Sequence, residues 1–483
     1  MTTEALSLER RLARWRLAHG TPASGPASAG TATLAAERAD RLAAGLGGEV
    51  VDGRAGPIVR IERPERDLVI DRDRLAALPG HPAGHVPLVC LDTETTGLGT
   101  AAGTYAFLVG LGWWDGDRFR QVQLLLPDEA AEPALLAAVA ATIPADAWLV
   151  TYNGRGFDWP LLESRYRLRR TTPPTLAGHL DLLPFVRRVY RHRLPDARLR
   201  TVERYVLGLD RIGDVEGWQI PGRYLEVLRG ASPALLADVV HHNHLDVLSL
   251  ALVVAHAERQ LGSPRPPVGI PPGDLAGLGR AYRRAGRPDE ALACLDQALD
   301  RVEDEPGDRR RIAEIRAPWW SPDRPADLGG PADPARRATP RPDGSPWTFA
   351  RIAAERARLL RALGRDTEAA DAWRTAAVAG GRSGVLAWVE VAKLCEHRLG
   401  DPAAALAATE RARALVERGR LLGRPDGALE RAIGHRAARL RRRLVGRPLA
   451  VPAPAGRSVR RTVAAAASPA RSGRGPPGRS RAS

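Results

Sequence analysis

Asp92 and Glu94 stand two residues apart in PLVCLDTETTGLG, where an apolar run passes directly into a polar, glycine-containing turn. On a strand that spacing puts both carboxylates on one face at one end, where two acids can share a cation, although acid pairs are also common on solvated surfaces. TYNGRGFDWPLL repeats the construction: strand-like AWLVTYN delivers a turn and then Asp158 at the start of a helix. An acid there can equally serve as a cap that accepts backbone N–H bonds. HHNHLDVLSL carries Asp246 inside an apolar helix, and an aspartate on such a background must be paired, solvated or bound to a cation. Together these acids offer hard oxygen donors from separate elements. Left unpaired they repel one another, and magnesium or manganese, which prefer oxygen ligands, would offset that repulsion. Two such ions about 4 Å apart activate a water and stabilise the leaving oxygen of a phosphodiester.

The elements that must position these groups follow α/β grammar from residue 86 to about 262. PLVCLDTE reads as a buried strand, TYAFLVGLGWWDGDRFRQVQLLL as a hairpin turning at Asp115-Gly116, and Glu129 to Ala141 as a helix. AWLVTYN and HLDLL read as further strands, Pro160–Leu168 and Leu199–Leu207 as helices, and Leu235–Leu261 as a long helix stopped by Gly262-Ser263-Pro264. Residues 1–85 carry a short helix at Leu6–Ala18 and the strand-like IVRIERPERDLVI, and are expected to be a partly disordered extension without a motif. From 268 to 445 the pattern is helical only. LGRAYRRAGRPDEALACLDQAL, ERARLLRALGRDTEAADAWRTAA and VEVAKLCEHRLGDPAAALAATERA show the small-residue spacing of tetratricopeptide-like repeats. Residues 304–347, dominated by Pro, Asp, Arg and Gly, read as a mobile insertion, and 446–483 as a disordered tail.

DTETTGLG, the N-x-x-x-F-D of Asn153 to Asp158, and the His-rich helix reaching Asp246 resemble, in order and spacing, the exonuclease motifs of the DEDD superfamily, whose fold is RNase H-like. HLDLLPFVRRVYRHRLPDARLRTVERYVLGL, GDVEGWQIPGRYLEVLRG and HNHLDVLSLA, followed by repeats, resemble more narrowly the bacterial YprB-like family. The resemblance implies an RNase H-like domain over 86–262 and two Mg2+ or Mn2+ ions held by Asp92, Glu94, Asp158 and Asp246. It also implies 3′ to 5′ exonuclease-like hydrolysis of single-stranded DNA or RNA.

A general base is implied one turn before the last acid. Superfamily members place a tyrosine four residues before it or a histidine five before it; here those positions hold His242 and His241. The four-residue spacing puts His242 on the helix face of Asp246, so His242 is favoured over His241. A histidine titrates near neutrality and can take a proton from an attacking water. The resemblance further implies that Thr95, Thr96, Gly97 and Leu98 contact the terminal nucleotide. Asn153 holds the turn or a phosphate. Asp181 ends a strand in a structural turn role or supports the site. Trp113, Trp114 and Trp159 pack in the core or stack bases.

Composition bounds the remainder. With 483 residues, 44% hydrophobic, the chain is long enough for several domains and is not wholly disordered. The longest apolar stretch, Val247–Ala257, is too short to span a bilayer, and MTTEALSLERRLARWRLAHG lacks the apolar centre of a secretory signal, so a cytoplasmic protein without membrane contact is expected. Cys90, Cys294 and Cys395 form no close-spaced pair and are expected to be buried thiols. Net charge is +16, with eight arginines and no acid in 446–483, which suits nucleic acid as partner. The run Arg436, Arg439, Arg441, Arg442 and Arg443 either attracts phosphates or forms a solvated face. The alternatives to an exonuclease are a structure-selective endonuclease of the same fold, or a non-catalytic scaffold that holds nucleic acid while its repeats bind a protein.

Overall fold

The structure, a computed structural model, describes residues 29–53, 55–97, 103–263, 269–303 and 349–445. The expected helix Leu6–Ala18, the residue Leu98, the expected insertion 304–347 and the expected tail 446–483 lie outside the described residues.

Seven strands form one mixed sheet. They are β1 (Glu49–Gly53), β2 (Gly56–Asp67), β3 (Leu88–Thr95), β4 (Ala106–Asp115), β5 (Arg118–Leu125), β6 (Ala147–Thr151) and β7 (Leu176–Asp181), in the spatial order β1-β2-β5-β4-β3-β6-β7. β3 pairs with β6, and β6 with β7, in parallel; every other neighbour is antiparallel. β4 and β5 form the expected hairpin, with Gly116 at φ +60° in its turn. Residues 29–85, expected as an extension, instead supply α1 (Ala29–Leu46), β1, β2 and α2 (Arg72–Ala77). IVRIERPERD adds to the sheet because alternate residues Val59 and Ile61 bury against β5 and its neighbours.

The remaining helices of this unit are α3 (Glu132–Thr142), α4 (Asp158–Arg169), α5 (Leu182–Val189), α6 (Leu199–Val202), α7 (Ile220–Leu228) and α8 (Ala237–Leu261). HLDLL divides between two of these elements: β7 ends at Asp181, whose carboxylate caps α5 by accepting from the Leu183 N–H at 3.0 Å.

Strand parity sorts β3 between two cores. Leu88 and Cys90 bury with Val247, Ala251 and Val254 of α8, whereas Val89 and Leu91 bury with Leu135 and Val139 of α3 and Tyr166 of α4. Apolar residues at Val240, Val247, Leu250, Ala251 and Val254 give α8 its helical stripe. The helix lies close on β4 because Gly110 has no side chain. A Cβ there would stand 2.3 Å from Asn243 Oδ1 and 2.7 Å from Val247 Cγ2.

Beyond the sheet come α9 (Pro272–Arg284), α10 (Pro288–Glu303), α11 (Phe349–Ala362), α12 (Asp366–Ala376), α13 (Gly381–His397), α14 (Pro402–Leu421) and α15 (Gly427–Val445), each packed against the next. Their apolar interior is continuous with that of the sheet unit. Val189 and Tyr190 share a cluster with Leu275, Ala276 and Leu278, and Gly277 brings α9 so near α5 that a Cβ would stand 2.6 Å from Val189 Cα. Arg193 binds Asp274 across this junction through bonds of 3.1 and 2.9 Å. All three cysteines are buried free thiols. No helix among the described residues is long and apolar enough to cross a membrane.

The α8–β4 approach is testable. Gly110→Ala is expected to destabilise the fold by about 2–3 kcal/mol, roughly 5–10 °C in thermal midpoint, because backbone and Asn243 must both yield. An unchanged midpoint in a thermal melt would refute the account of how α8 is seated.

Candidate metal and nuclease centre

The parity that buries Leu88 and Cys90 under α8 continues along β3, so Asp92 and Glu94 emerge on the same face, toward Asp246. Thr93 points to the opposite side, where its hydroxyl donates to Asp158 Oδ1 at 2.6 Å at the start of α4. β6 pairs with β3 only through Cys90, so beyond that point the strand edge is open and Asp158 can reach it from the α4 side. The acids from β3, α4 and α8 thereby meet around the carboxyl end of one strand.

Their electrostatics report the meeting. Burial, then the neighbouring charges of Asp246, Glu94 and Asp158, push the Asp92 carboxyl well above the ordinary carboxylate range. Burial and then Asp246, Asp158 and Asp214 do the same to Glu94. Asp158 is pushed up to about 6 by burial, against the opposing bonds from Thr93. Asp246 is raised by burial despite Arg211 and His242.

Each acid is held differently. Asp92 Oδ2 accepts from Asn243 Nδ2 at 2.9 Å, and Asn243 is fixed in turn by accepting from Gln123 Nε2 at 2.8 Å. Asp246 Oδ1 accepts a bond from the Arg211 guanidinium. No hydrogen bond or ion pair within the described residues engages the Glu94 side chain.

Behind Asp246 lies a second network. Arg211 also donates to Glu203 at 2.7 Å and to Asp214 at 3.2 Å, and its side chain is only 6% exposed. His242 Nδ1 bonds Asp214 Oδ1 at 2.6 Å, while Nε2 lies 3.5 Å from Asp246 Oδ2. Burial raises the Asp214 carboxyl, but His242 and Arg211 outweigh it and hold it below its ordinary range. The His242 ring therefore bridges two carboxylates, with Nδ1 on Asp214 and Nε2 toward Asp246 and the acidic centre.

The other expected site residues are placed as follows. His241 is exposed one position away, and its ring centroid is 6.2 Å from that of His244. His244 turns to β5, bonding Gln121 Oε1 at 2.9 Å. Thr95 Oγ1 donates to Gly97 O at 2.7 Å, and Thr96 Oγ1 accepts from the Tyr105 N–H at 3.2 Å, so both hydroxyls brace the turn after β3. Gly97 is buried in that turn. Asn153 has a left-handed backbone, φ +67°, and its N–H donates to Asp181 Oδ1 at 2.8 Å, which makes it a turn residue held by Asp181. Trp114 Nε1 donates to Leu68 O at 3.0 Å and Trp159 Nε1 to Glu163 at 3.1 Å; with Trp113 they pack at core margins.

Sequence reasoning did not single out Asn243, Thr93, Arg211 or Asp214. Asn243 carried a usable signal, because it lies three residues before Asp246 on the same helix face.

The donor set suits a hard divalent cation: four carboxylates with only oxygen to offer, one of them without a partner and all with their charged forms disfavoured by burial. Among the described residues no group of three or more His, Cys, Asp or Glu yet surrounds a single point closely enough to hold an ion.

Comparison with known proteins gives the domain its place. Residues 89–258 match the RNase_H_2 family of the RNase_H superfamily. This segment is an RNase H-like domain. Over 176 residues the chain is 40% identical to the uncharacterized protein YprB of Bacillus subtilis (strain 168), a match covering 36% of this chain. The chain spans 42% of the length of that relative.

A pH dependence follows from the raised carboxyls. Without metal, the folded chain retains protons that the unfolded chain releases from about pH 4 upward, so stability falls as pH rises. The Asp158 share of that fall is complete once pH has passed about 6, and Asp92 and Glu94, raised well above their ordinary range, contribute in the same direction. Glu94→Gln is therefore expected to raise the metal-free thermal midpoint more at pH 8 than at pH 5. Equal midpoints for the two proteins at both pH values would disprove the coupling.

Proposed function

We propose that the RNase H-like domain hydrolyses phosphodiester bonds in single-stranded DNA or RNA from the 3′ end, releasing nucleoside monophosphates. The observation that carries this is the convergence of Asp92, Glu94, Asp158 and Asp246 on one strand end, each raised by burial, Asp92 and Glu94 also by the neighbouring acids, and with the Glu94 side chain unpartnered among the described residues. These acids would hold two Mg2+ or Mn2+ ions, which supply charge neutralisation at the phosphate and at the leaving oxygen.

The chain's own residues do the rest. His242, with Nδ1 bonded to Asp214 at 2.6 Å, accepts the proton of the attacking water at Nε2. Asp214 acts through His242 and is a positioning residue. Thr93 and Asn243 fix Asp158 and Asp92 by bonds of 2.6 and 2.9 Å. The turn of Thr95, Thr96 and Gly97 would meet the terminal nucleotide through its backbone, since its hydroxyls are engaged. The helical pairs from α9 onward would form tetratricopeptide-like repeats that take a protein partner.

One observation favours a second reading. The Arg211 guanidinium on Asp246 supplies a positive charge from within the chain, which fits a domain that holds nucleic acid without cutting it.

A nuclease assay with manganese separates the two. Wild type is expected to degrade a labelled single strand, and Asp92→Ala to fall to background; identical traces would remove the enzyme. His242→Ala is expected to lower kcat by about 10²–10⁴-fold while His241→Ala retains turnover, and the reverse ranking would reassign the base. Asp214→Ala is expected to cost about 10–100-fold in kcat at constant KM, with partial recovery in Asp214→Glu. Wild-type kcat in Asp214→Ala would show that His242 needs no partner.

A further inference from the structure

Two arginine clusters lie on the helical part, and they differ in whether their charge is already met. On α15, Arg436, Arg439 and Arg443 gather on Glu396, and Arg441 pairs with Glu410, so four of the five arginines of the run singled out in the sequence face an acid within the fold. The cluster at the junction of α5, α9 and α11 is not so met. Arg280 on α9 donates to Arg188 O at the end of α5 at 2.8 Å, and Arg284, four residues on, shares that helix face.

Arg280, Arg283 and Arg358 line a cavity of about 90 Å³ together with Leu295 and Glu355. Glu355 is the acid that faces them: Arg280 Nη1 stands 3.6 Å from its Oε1, and its buried Oε2 has no hydrogen-bond partner. The charges of Arg280, Arg283, Arg358 and Arg351 all act on Glu355, and Arg188 and Arg284 adjoin Arg280. Arg188, Arg283 and Arg284 make no ion pair with an acid among the described residues. Arg188 is held below its ordinary value first by burial and then by the like charge of Arg284.

The position of this cluster indicates what it meets. α5 starts at Asp181, whose carboxylate holds the N–H groups of Asn153 and Arg155 beside the acidic centre. Eight residues later, about 12 Å along the axis, α5 ends at the arginines. The Gly277 contact and the Arg193–Asp274 pair fix α9 against α5, so the spacing between acids and arginines is rigid.

We propose that Arg188, Arg280, Arg283, Arg284 and Arg358 form a track for the phosphodiester backbone of a single strand whose end lies at the acidic centre. This rests on the acids being a nuclease centre. The track reads charge and spacing, not bases. Its occupant is a polyanion that runs on from the site, which a strand does and a short acidic peptide does not.

The test uses the full chain carrying Arg283→Ala, Arg284→Ala and Arg358→Ala together, with Arg441→Ala as control. Binding of a long labelled single strand is measured in EDTA, where no turnover can occur, across a salt series. The triple variant is expected to lose on the order of tenfold in affinity, with a log–log salt slope shallower by about two; Arg441→Ala keeps both. In manganese, the preference for a long strand over a dinucleotide should collapse in the triple variant. Arg283→Lys, Arg284→Lys and Arg358→Lys together should restore the slope, which separates lost charge from lost folding.

An unchanged affinity and slope overturns the track, as does an acidic peptide that displaces the strand at lower concentration than unlabelled strand does. Because binding is read without metal, a wild type that binds but never cuts would sink the nuclease while leaving the arginine measurement intact. Cutting without dependence on the arginines would sink the track alone.

Discussion

Four carboxylates gathered at one strand end, Asp158 buried and Asp92, Glu94 and Asp246 half-buried, are the constraint around which the domain is arranged. Each would ordinarily be ionised at neutral pH, and each is instead pushed toward its neutral form by burial. The fold concedes this cost and limits it locally. Asn243 and Thr93 donate to two of the acids, and the Arg211 guanidinium meets a third. The Asn243 donor is in place because α8 sits hard against β4, which in turn depends on the absence of a side chain at Gly110. A stability cost concentrated at one strand end, and tolerated there, marks that end as a place where the chain departs from what folding alone would favour.

Much of this was legible in the chain itself. The period-two alternation of PLVCLDTE gave the face of Asp92 and Glu94, and the strand-turn-helix form of TYNGRGFDWPLL gave the place of Asp158. The apolar stripe of α8 gave Asp246. These are local signals, set by neighbours a few residues away. Arg211 and Asp214 were not legible because their partners, Glu203, His242 and Asp246, are brought to them by a loop without periodicity. The same limit applies to IVRIERPERD: its alternation was visible, but its seat beside β5 is decided by pairing more than fifty residues away. Charge was the most misleading guide. The conspicuous arginine run on α15 is engaged by Glu396 and Glu410, while Arg188, Arg283 and Arg284, which make no ion pair among the described residues, lie apart in the chain and do not stand out in it.

His242 illustrates how a side chain gains a defined role from its surroundings. Histidine in isolation exchanges its proton freely between two nitrogens. Here a carboxylate anchored by Arg211 takes one nitrogen, which leaves the other directed at the acids. His241, adjacent in the chain, has no such anchor and remains at the surface.

The contact of Gly277 with Val189 also bears on how this architecture can be altered. Because the interior runs without a break from α5 into α9, the seam between sheet and helices is not a hinge, and the helices cannot be exchanged for another set as a cassette. Any lineage or laboratory that lengthens, shortens or replaces the helical array must preserve the first pair, or repack Val189 and Tyr190 along with it.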